Sequence, residues 1–302
     1  MDPSIAELRQ LIARHARNDM STPIPGVLVG RHDASVWEPS MSGTVMALIV
    51  QGTKRLALGD RVYEYGTGQY LVASLDLPVS GQFLDASPEE PALGFGLVLD
   101  PASIAELLLQ AGSDSARMGA GAPPSSMLVS DASAEMLGAV LRLLRLLDSP
   151  RDIPVLAPLL KREILWRLMV GEQGAAVRQL GLANSNLSHI ARAVRWIREH
   201  YARSFRVEDV AELCGMSASA FYRNFQAATA MSPIQFQKQI RLQEARLLLA
   251  AQPNDVTGVG FRVGYDSPSQ FSREYRRQFG APPSQDALRL RQIAVGGVPG
   301  VV

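Results

Sequence analysis

The chain has 302 residues, 47% of them hydrophobic, and a formal net charge of +1 at pH 7. This length predicts two or three domains with real hydrophobic cores, and the absence of any run of about 18 apolar residues excludes a membrane-spanning helix. The single cysteine, Cys214, excludes an intramolecular disulfide and fits a reducing cytosol. The N-terminal segment carries charges throughout, unlike a secretory signal.

The charge is divided unevenly along the chain. Residues 1–184 contain 15 basic and 20 acidic side chains, a balance of −5, whereas residues 185–302 contain 15 and 9, a balance of +6. A basic segment on a nearly neutral chain indicates an anionic partner for that segment. A solvated positive surface explains the same charge equally well, so charge alone does not decide between the two.

The N-terminal third begins with a helical pattern and continues with strand patterns. Residues 1–20 have the apolar spacing of an amphipathic helix. Between Gly26 and Leu99, short β-rich runs alternate with turn signals such as GD, YGTG and PVSG. Strands of this length and spacing predict an antiparallel barrel or sandwich.

Helical patterns and loop-like compositions follow the predicted strands. Residues 111–126 are rich in Gly, Ala, Ser and Pro, as in a mobile loop. Residues 133–148 and 155–170 each carry leucines along one helical face, which either forms dimer contacts or covers the barrel. Residues 176–186 have the composition of a linker, although they could also hold a short helix.

Two segments of the C-terminal third repeat each other. Residues 217–225, SASAFYRNF, and residues 267–275, SPSQFSREY, share the pattern Ser-x-Ser-x-Phe-x-Arg-x-aromatic at an offset of 50. Upstream of them, residues 207–215 align with residues 256–264 at an offset of 49. This duplication predicts two copies of one unit, which consists of a helix, a tight turn and a second helix.

Each copy has the sequence signals of a helix-turn-helix. Gly215 and Gly264 occupy the sharp turns, which often require a positive φ, and Ser217 and Ser267 are good N-caps for the second helices. Residues 233–251 connect the copies, and their pattern predicts a helix of roughly 27 Å. A rod of that size could hold the two second helices about one DNA turn, roughly 34 Å, apart.

The second helices combine an aromatic inner face with an arginine on the outer side. Phe221 and Phe225 lie four residues apart and are predicted to be buried, which turns Arg223 outward; Arg273 takes the same place in the second copy. A short helix with an outward arginine fits the DNA major groove, where arginine reads guanine through two hydrogen bonds. Three further basic residues suit phosphate contacts: Lys238, Arg276 and Arg277.

Residues 187–287 resemble the DNA-binding domain of the AraC/XylS family, through GMSASAFYRNF with the helix that follows it and through VGYDSPSQFSREYRRQFGAPP. Residues 21–175 resemble, with less specific motifs, the cupin-like sensor domain of one branch of that family. The resemblance implies a bacterial transcription regulator, and the branch suggests a small aldehyde or alcohol as its effector.

The resemblance also assigns roles to individual residues by position. Arg241, Arg246 and Arg262 match basic positions of the family pattern, and Arg246 is equally explained as a structural ion-pair partner. The residues implied to read bases are Ser219, Tyr222, Arg223, Ser269, Gln270 and Arg273. Together with the preceding arguments, the expected DNA-binding residues are Ser217, Ser219, Tyr222, Arg223, Lys238, Arg262, Ser267, Ser269, Gln270, Arg273, Arg276 and Arg277.

The chain departs from the family pattern at small residues. Gly260 stands where the family usually has alanine, Gly258 lies two residues before it, and each glycine costs a helix interior about 1 kcal/mol relative to alanine. We therefore expect the first helix of the second motif to be the less stable one, and alanine at both positions to raise the melting temperature. Ala230 replaces a usual glycine, so a left-handed conformation there would carry a steric cost.

Three functions are open for the N-terminal part. A small barrel can enclose one ligand, although strand aromatics more often pack in a core. A metal-dependent enzyme is disfavoured because only one of the four histidines lies in the predicted barrel, too few for a metal triad. The third function is dimerisation alone. For a sensor, the candidate effector-binding residues are His32, Trp37, Tyr63, Tyr65 and Tyr70.

The sequence as a whole predicts an α+β protein, with an N-terminal antiparallel β-barrel of cupin-like form and flanking helices, and a C-terminal all-α double helix-turn-helix domain. We expect a sensor and dimerisation domain over residues 1–175, with its barrel at about 21–100 and its helices at 101–175. A linker (176–186), a DNA-binding domain (187–287) and a flexible tail (288–302) follow.

The predicted function is that of a sequence-specific DNA-binding transcription regulator, responsive to an effector through the barrel and located in the cytoplasm at the nucleoid. The expected partners are double-stranded promoter DNA, a small-molecule effector, a second copy of the chain and, for an activator, RNA polymerase. No catalytic residue, metal, cofactor or membrane contact is expected. The alternatives are a regulator whose N-terminal domain only dimerises, and a cupin-type enzyme fused to a DNA-binding domain.

Overall fold

The computed structural model describes residues 3–111, 125–182 and 185–295. The chain separates into two compact units, the first comprising residues 1–191 with 227–230 and the second residues 192–226 with 231–302. The first unit combines antiparallel sheets with helices, and the second is built from helices, which confirms the predicted α+β fold class.

The first unit contains two antiparallel sheets. It opens with helix α1 (Pro3–His15), and the strands of its described residues are β1 (Val27–His32), β2 (Glu38–Met41), β3 (Val45–Gln51), β4 (Thr53–Leu58), β5 (Arg61–Gly66), β6 (Gln69–Ala73), β7 (Pro78–Leu84), β8 (Ala92–Val98) and β9 (Met127–Asp131). One sheet has the order β1-β8-β3-β6-β9 and the other the order β2-β7-β4-β5. The predicted barrel ended near residue 100, whereas β9 adds an edge strand beyond that point.

A large hydrophobic core of the first unit lies on one face of the five-stranded sheet. Val29 and Phe95 are direct partners across β1 and β8 and share this face, because opposite positions of antiparallel strands point the same way. Both side chains are almost fully buried. The helices that cover this face are α1, α2 (Pro101–Ala111), α3 (Ala134–Arg145), α4 (Ile153–Val170) and α5 (Gly174–Gly181).

Three expected segments differ from the structure or lie partly outside it. The expected linker, residues 176–186, overlaps helix α5, in which Ala176 and Val177 are buried. This helix therefore packs on the core, and residues 183–184 lie outside the described residues. Most of the expected loop, residues 112–124, also lies outside them. The expected tail, residues 288–302, is helical as far as Val295, and residues 296–302 are not among those described.

The described residues of the second unit form helices joined by short turns and loops. Helix α6 (Asn186–Glu199) leads into it, and the remaining helices are α7 (Val207–Leu213), α8 (Ala218–Thr229), α9 (Pro233–Ala251), α10 (Val256–Arg262), α11 (Pro268–Phe279) and α12 (Pro283–Val295). Helix α9 begins with a capping box between Ser232 and Gln235, with Pro233 in its first turn. Within the described ranges, no helix is both long and apolar enough to cross a membrane.

Candidate nucleic-acid interface

The first helix-turn-helix consists of α7 and α8. Gly215 adopts a φ of +71° in the turn between them, a region that glycine enters without steric cost. Met216 then donates its backbone N–H to the Ala211 carbonyl at 2.9 Å, which closes the end of α7. Ser217 accepts a hydrogen bond from the Ala220 backbone N–H at 3.3 Å and thereby caps α8.

The second helix-turn-helix, α10 and α11, repeats this turn. Gly264 has a φ of +93°, and Tyr265 donates its backbone N–H to the Gly260 carbonyl at 3.0 Å. Ser267 caps α11 through the backbone N–H three residues ahead, at 3.4 Å. Asp266 is the one residue that the second turn has in addition, which explains why the sequence offset changes from 49 before the turns to 50 after them.

Aromatic side chains fix the inner face of both recognition helices, α8 and α11. Phe221 and Phe225 have ring centroids 5.4 Å apart, and Phe225 meets Phe236 of α9 edge-on at 5.6 Å. In α11, Phe271 and Tyr275 lie 5.6 Å apart. All five rings are fully buried, so the burial predicted from their four-residue spacing is confirmed and the outer faces of both helices are left for polar residues.

The outer faces of the two recognition helices carry four exposed arginines. Arg223 in α8 and Arg273 in α11 are exposed, as are Arg276 and Arg277. Among the described residues, no hydrogen bond or ion pair involves any of these four guanidinium groups. Exposed neighbours on the same helices, all of them predicted DNA contacts, are Ser219, Tyr222 and Ser269.

Glu274 accepts hydrogen bonds from two of the predicted DNA-contacting residues, Lys238 and Gln270. Its carboxylate accepts hydrogen bonds from Lys238 Nζ at 3.1 Å and Gln270 Nε2 at 3.1 Å, and from the Tyr265 hydroxyl at 2.9 Å. Burial by itself raises the pKa of Glu274, but these hydrogen bonds outweigh burial and hold the pKa below the usual glutamate value. Lys238 and Gln270 are therefore held beside a negative charge in the DNA-free protein.

Three further predicted DNA contacts, Arg262, Ser267 and Ser269, lie at or beside helix caps. Arg262 donates to the Gln252 side chain at 2.6 Å and lies 3.5 Å from Asp255, whose carboxylate caps α10. Ser267, besides capping α11, places its hydroxyl 2.9 Å from that of Ser269. These three residues are engaged within the protein, and their contact with DNA stays a prediction.

Arg241 holds the second turn in place. Its guanidinium donates to the carbonyls of Tyr201 and Gly264, both at 2.7 Å, and to that of Ala202 at 3.3 Å. Burial lowers the pKa of Arg241, although nearby acidic groups oppose the shift. A guanidinium that satisfies three backbone carbonyls is a structural group, so this family-pattern arginine is not available to DNA.

Arg246 is likewise structural. It donates to Asp286 at 2.8 Å and lies 5.2 Å from the centre of the Phe279 ring. The same carboxylate accepts the Tyr275 hydroxyl at 2.8 Å. Arg246 was expected to be either a basic position facing DNA or a structural ion-pair partner. Because Asp286 is buried, the structure favours the ion pair.

The surroundings of the two glycines of α10 oppose the gain in melting temperature that was expected from alanine. A Cβ at Gly260 would lie 3.0 Å from Cδ1 of the buried Phe271 ring, and one at Gly258 would lie 2.2 Å from Oδ2 of Asp255, the cap of the same helix. Helix propensity favours alanine at both positions, whereas the Phe271 ring and the Asp255 cap favour glycine. The expectation for Ala230 is supported, since it adopts a left-handed φ of +58°, like Gly280 at +77°.

The five candidate effector residues have different surroundings. Trp37 is exposed, Tyr63 lies 3.3 Å from the Ser125 hydroxyl, and Tyr70 belongs to the core beneath the helices. Tyr65 is buried, and His32 stacks on a phenylalanine of the opposite sheet.

Lys54, which sequence reasoning missed, lies between these last two candidates. Its signal in the sequence was the alternation with Leu56 and Leu58, both buried, which turns a lysine toward the inner face of β4. Burial, with the charge of Lys54 as a smaller cause, lowers the pKa of His32 to about 4.

The chain matches two protein-family models. One describes the AraC-type transcriptional regulator N-terminus and matches residues 23–176, and the other describes a helix-turn-helix domain and matches residues 210–289.

Among the described residues, no group of three or more His, Cys, Asp or Glu side chains is placed to hold a metal ion.

Curated relatives include transcriptional activators. RhaS of Salmonella schwarzengrund is 26% identical over 163 residues, which cover 53% of this chain and 56% of RhaS. VirF of Yersinia enterocolitica, a virulence regulon activator, is 28% identical over 180 residues, covering 58% of this chain and 64% of VirF. The chain thus spans a little over half the length of the curated relatives that it matches.

Solved structures of similar fold include ToxT of Vibrio cholerae. The unsaturated fatty acid-bound wild-type protein of strain SCE256 has a TM-score of 0.56 and 11% identity, with 89% of this chain and 97% of ToxT covered. ToxT of strain O395 bound to a methylnaphthalenyl butenoic acid has a TM-score of 0.55 and 13% identity, with 88% and 99% covered. At such low identity the likeness shows the fold alone.

Proposed function

The chain belongs to the AraC-type transcriptional regulators, and from this premise we propose that it binds a double-stranded promoter site sequence-specifically through its two helix-turn-helix motifs. The observation that carries the proposal is the repeated geometry of the motifs. Each copy has the same glycine turn and the same serine cap, and each exposes one arginine in the same place on its recognition helix.

Arg223 and Arg273 are proposed to read bases in two successive major grooves. An exposed arginine without an internal partner keeps all its donors for guanine O6 and N7. Ser219, Tyr222, Ser269 and Gln270 would assist at neighbouring bases. Phosphate contacts, which set affinity and register, are proposed for Ser217, Lys238, Arg262, Ser267, Arg276 and Arg277.

The test uses DNA selected from a random pool by the wild-type chain. Arg273→Ala and Arg223→Ala should each weaken binding to the selected site by about 1–3 kcal/mol, or roughly 5- to 150-fold, and relax the base preference at one position. The matched control is Arg151→Ala, which removes the same charge from a side chain that is 91% exposed in the first unit.

The outcomes separate the proposal from a simple charge effect. If both recognition-helix variants lose affinity no more than the control does, arginine readout is wrong. If the wild-type chain enriches no common sequence, sequence-specific binding itself is wrong. A loss confined to one motif would leave one groove-reading helix and remove the other from the proposal.

We further propose that the chain forms a homodimer through helix α4. Val155, Leu159, Trp166 and Val170 are exposed apolar residues on one side of this helix. Their spacing is symmetric about the helix centre, so an antiparallel second copy would set Val155 against Val170 and Leu159 against Trp166. A twofold dimer requires such a self-complementary surface.

Sedimentation of the full chain tests the dimer. Leu159→Glu should shift the chain from dimer to monomer, because it places a charge in the apolar contact. Leu109→Glu is the control, since Leu109 is even more exposed but lies on α2, outside the symmetric stripe. A wild-type monomer, or equal behaviour of the two variants, would contradict the proposal.

An effector bound in the first unit is proposed to control the regulator, in line with the ligand-bound ToxT structures of the same fold. A ligand that binds only the folded protein raises its melting temperature, so a shift with small organic compounds separates a sensor from a module that only dimerises. The named relatives are transcriptional activators, which supports a non-enzymatic role for this chain. We propose that it acts in the cytoplasm at the nucleoid, with RNA polymerase as a further partner.

A further inference from the structure

Lys54 is a lysine on the inner face of the four-stranded sheet. It lies on β4, where Tyr65 of β5 is its direct partner on one side and Phe83 of β7 on the other. Opposite residues of antiparallel strands share a face, so the three side chains form a row across the sheet. The Lys54 ammonium lies 4.8 Å from the centre of the Phe83 ring.

The row continues onto the second sheet through His32. This residue is on β1 of the five-stranded sheet, and its ring stacks on Phe83 with centroids 4.3 Å apart and planes inclined by 25°. The contact connects the two sheets of the first unit. Lys54 therefore stands beside a cluster built from both sheets, with aromatic rings as its neighbours.

The charge of Lys54 has no acidic counterpart among the residues that the structure describes. Within residues 3–111, 125–182 and 185–295, no carboxylate forms an ion pair with its ammonium. The acid next to His32, Asp33, is held by Arg31 at 2.9 Å. The neighbouring Arg55, on the opposite face of the same strand, does have a partner, Glu64 at 2.8 Å.

The lack of a carboxylate partner matters because the Lys54 ammonium is surrounded by protein. Burial lowers the pKa of Lys54, because dense protein surroundings disfavour the charged form. Lys54 as a whole still keeps partial solvent exposure, so a small molecule can approach it. A single ring face compensates a lysine charge only partly, and a bound anion would complete the compensation.

We propose that the cluster of Lys54, Tyr65, Phe83 and His32 binds a small organic carboxylate with an apolar body, with Lys54 as its counter-ion. The inference rests on the proposed effector response and specifies its ligand chemistry. The aromatic rings would contact the apolar body, and the Tyr65 hydroxyl is the group nearest in register to assist at the carboxylate.

The composition of the cluster favours a monoanion over a phosphate. His32, whose pKa is lowered to about 4, is neutral at pH 7 and adds no second positive charge. A phosphate carries nearly two charges and three acceptor oxygens, which call for several cations or a row of backbone N–H groups. One ammonium among aromatic rings matches one carboxylate better.

The experiment compares ligands that differ only in charge. The full chain is titrated with benzoate and hexanoate, and in parallel with benzyl alcohol and 1-hexanol, while its melting temperature and heat of binding are recorded. In the wild-type chain we expect at least one acid to bind about tenfold or more tightly than its alcohol.

Lys54→Met removes the charge, keeps the apolar stem, and should abolish that preference. The matched control, Arg55→Met, should keep it, and Lys54→Arg should retain part of it. Without ligand, Lys54→Met should melt at the same temperature as the wild-type chain or higher, because no unpaired charge is left beside the rings, so loss of binding is not loss of folding.

Two results would overturn the proposal. One is equal binding of acid and alcohol by the wild-type chain, including the case in which neither binds. The other is a Lys54→Met variant that still prefers the acid. DNA binding is measured on the same preparations, because it does not require the ligand. Protein that still binds DNA retains the proposed function even when the ligand proposal fails. Binding of the alcohols alone would keep an effector response and remove Lys54 from it.

Discussion

Replacement of Asp286 by alanine tests whether Arg246 is a structural residue. The carboxylate of Asp286 is 0% exposed, the side chain of Arg246 is 14% exposed, and the Tyr275 hydroxyl donates to the same carboxylate at 2.8 Å. Removing one partner of a buried ion pair costs about 3–5 kcal/mol, because the other charge is left buried and unpaired. Since Arg246 keeps a little solvent contact, we expect the lower part of that range, about 3 kcal/mol.

Amide hydrogen exchange of the full chain measures this loss in the second unit separately from the first. We expect faster exchange across α11 and α12. In the double variant Arg246→Met/Asp286→Leu, protection should largely return, because no charge remains buried. Asp266→Ala, at an exposed aspartate of the same unit, serves as the control. A single variant as protected as this control, or a double variant no better than the single one, would refute the reasoning.

Three further predictions concern backbone conformation and the recognition helix. Ala230→Gly should stabilise the protein by about 0.5–1 kcal/mol, because it relieves a left-handed alanine at φ +58°; a lower melting temperature would contradict it. Gly260→Ala should lower the melting temperature, at a cost of about 1–3 kcal/mol, because its Cβ meets the Phe271 ring at 3.0 Å. Glu274→Gln should strengthen DNA binding about 2- to 5-fold in an anisotropy titration, because it removes a negative charge beside Lys238; weaker binding would instead make Glu274 a residue that positions Gln270.

The double helix-turn-helix could be predicted from sequence because its signals are local. The turn glycines, the serine caps and the four-residue aromatic spacing each constrain only a few neighbouring residues. Because the unit is duplicated, the same signals occur in two copies of the sequence. Even the single inserted residue, Asp266, was visible as a change of offset from 49 to 50.

The missed features depend on contacts between residues distant in sequence. Gly260 looks unfavourable in a helix until the Phe271 ring is placed where an added Cβ would approach it to 3.0 Å. Lys54 looks like an ordinary strand lysine until Phe83 and His32 approach from two other strands. Strand β9 follows a long Gly- and Pro-containing segment, and its membership of the sheet is set by pairing with β6. Local pattern carries no information on such partners.

The arginines of the second unit show why composition alone overstates a DNA-binding surface. The basic balance of residues 185–302 counts Arg241 and Arg246 equally with Arg223 and Arg273. The first two are held by backbone carbonyls and a buried carboxylate, whereas the last two are exposed and have no partner among the described residues. Counterion release responds only to charges that reach phosphates. The salt dependence of DNA binding should therefore follow the exposed arginines of α8 and α11, and substitution of Arg241 or Arg246 should change stability before it changes that dependence.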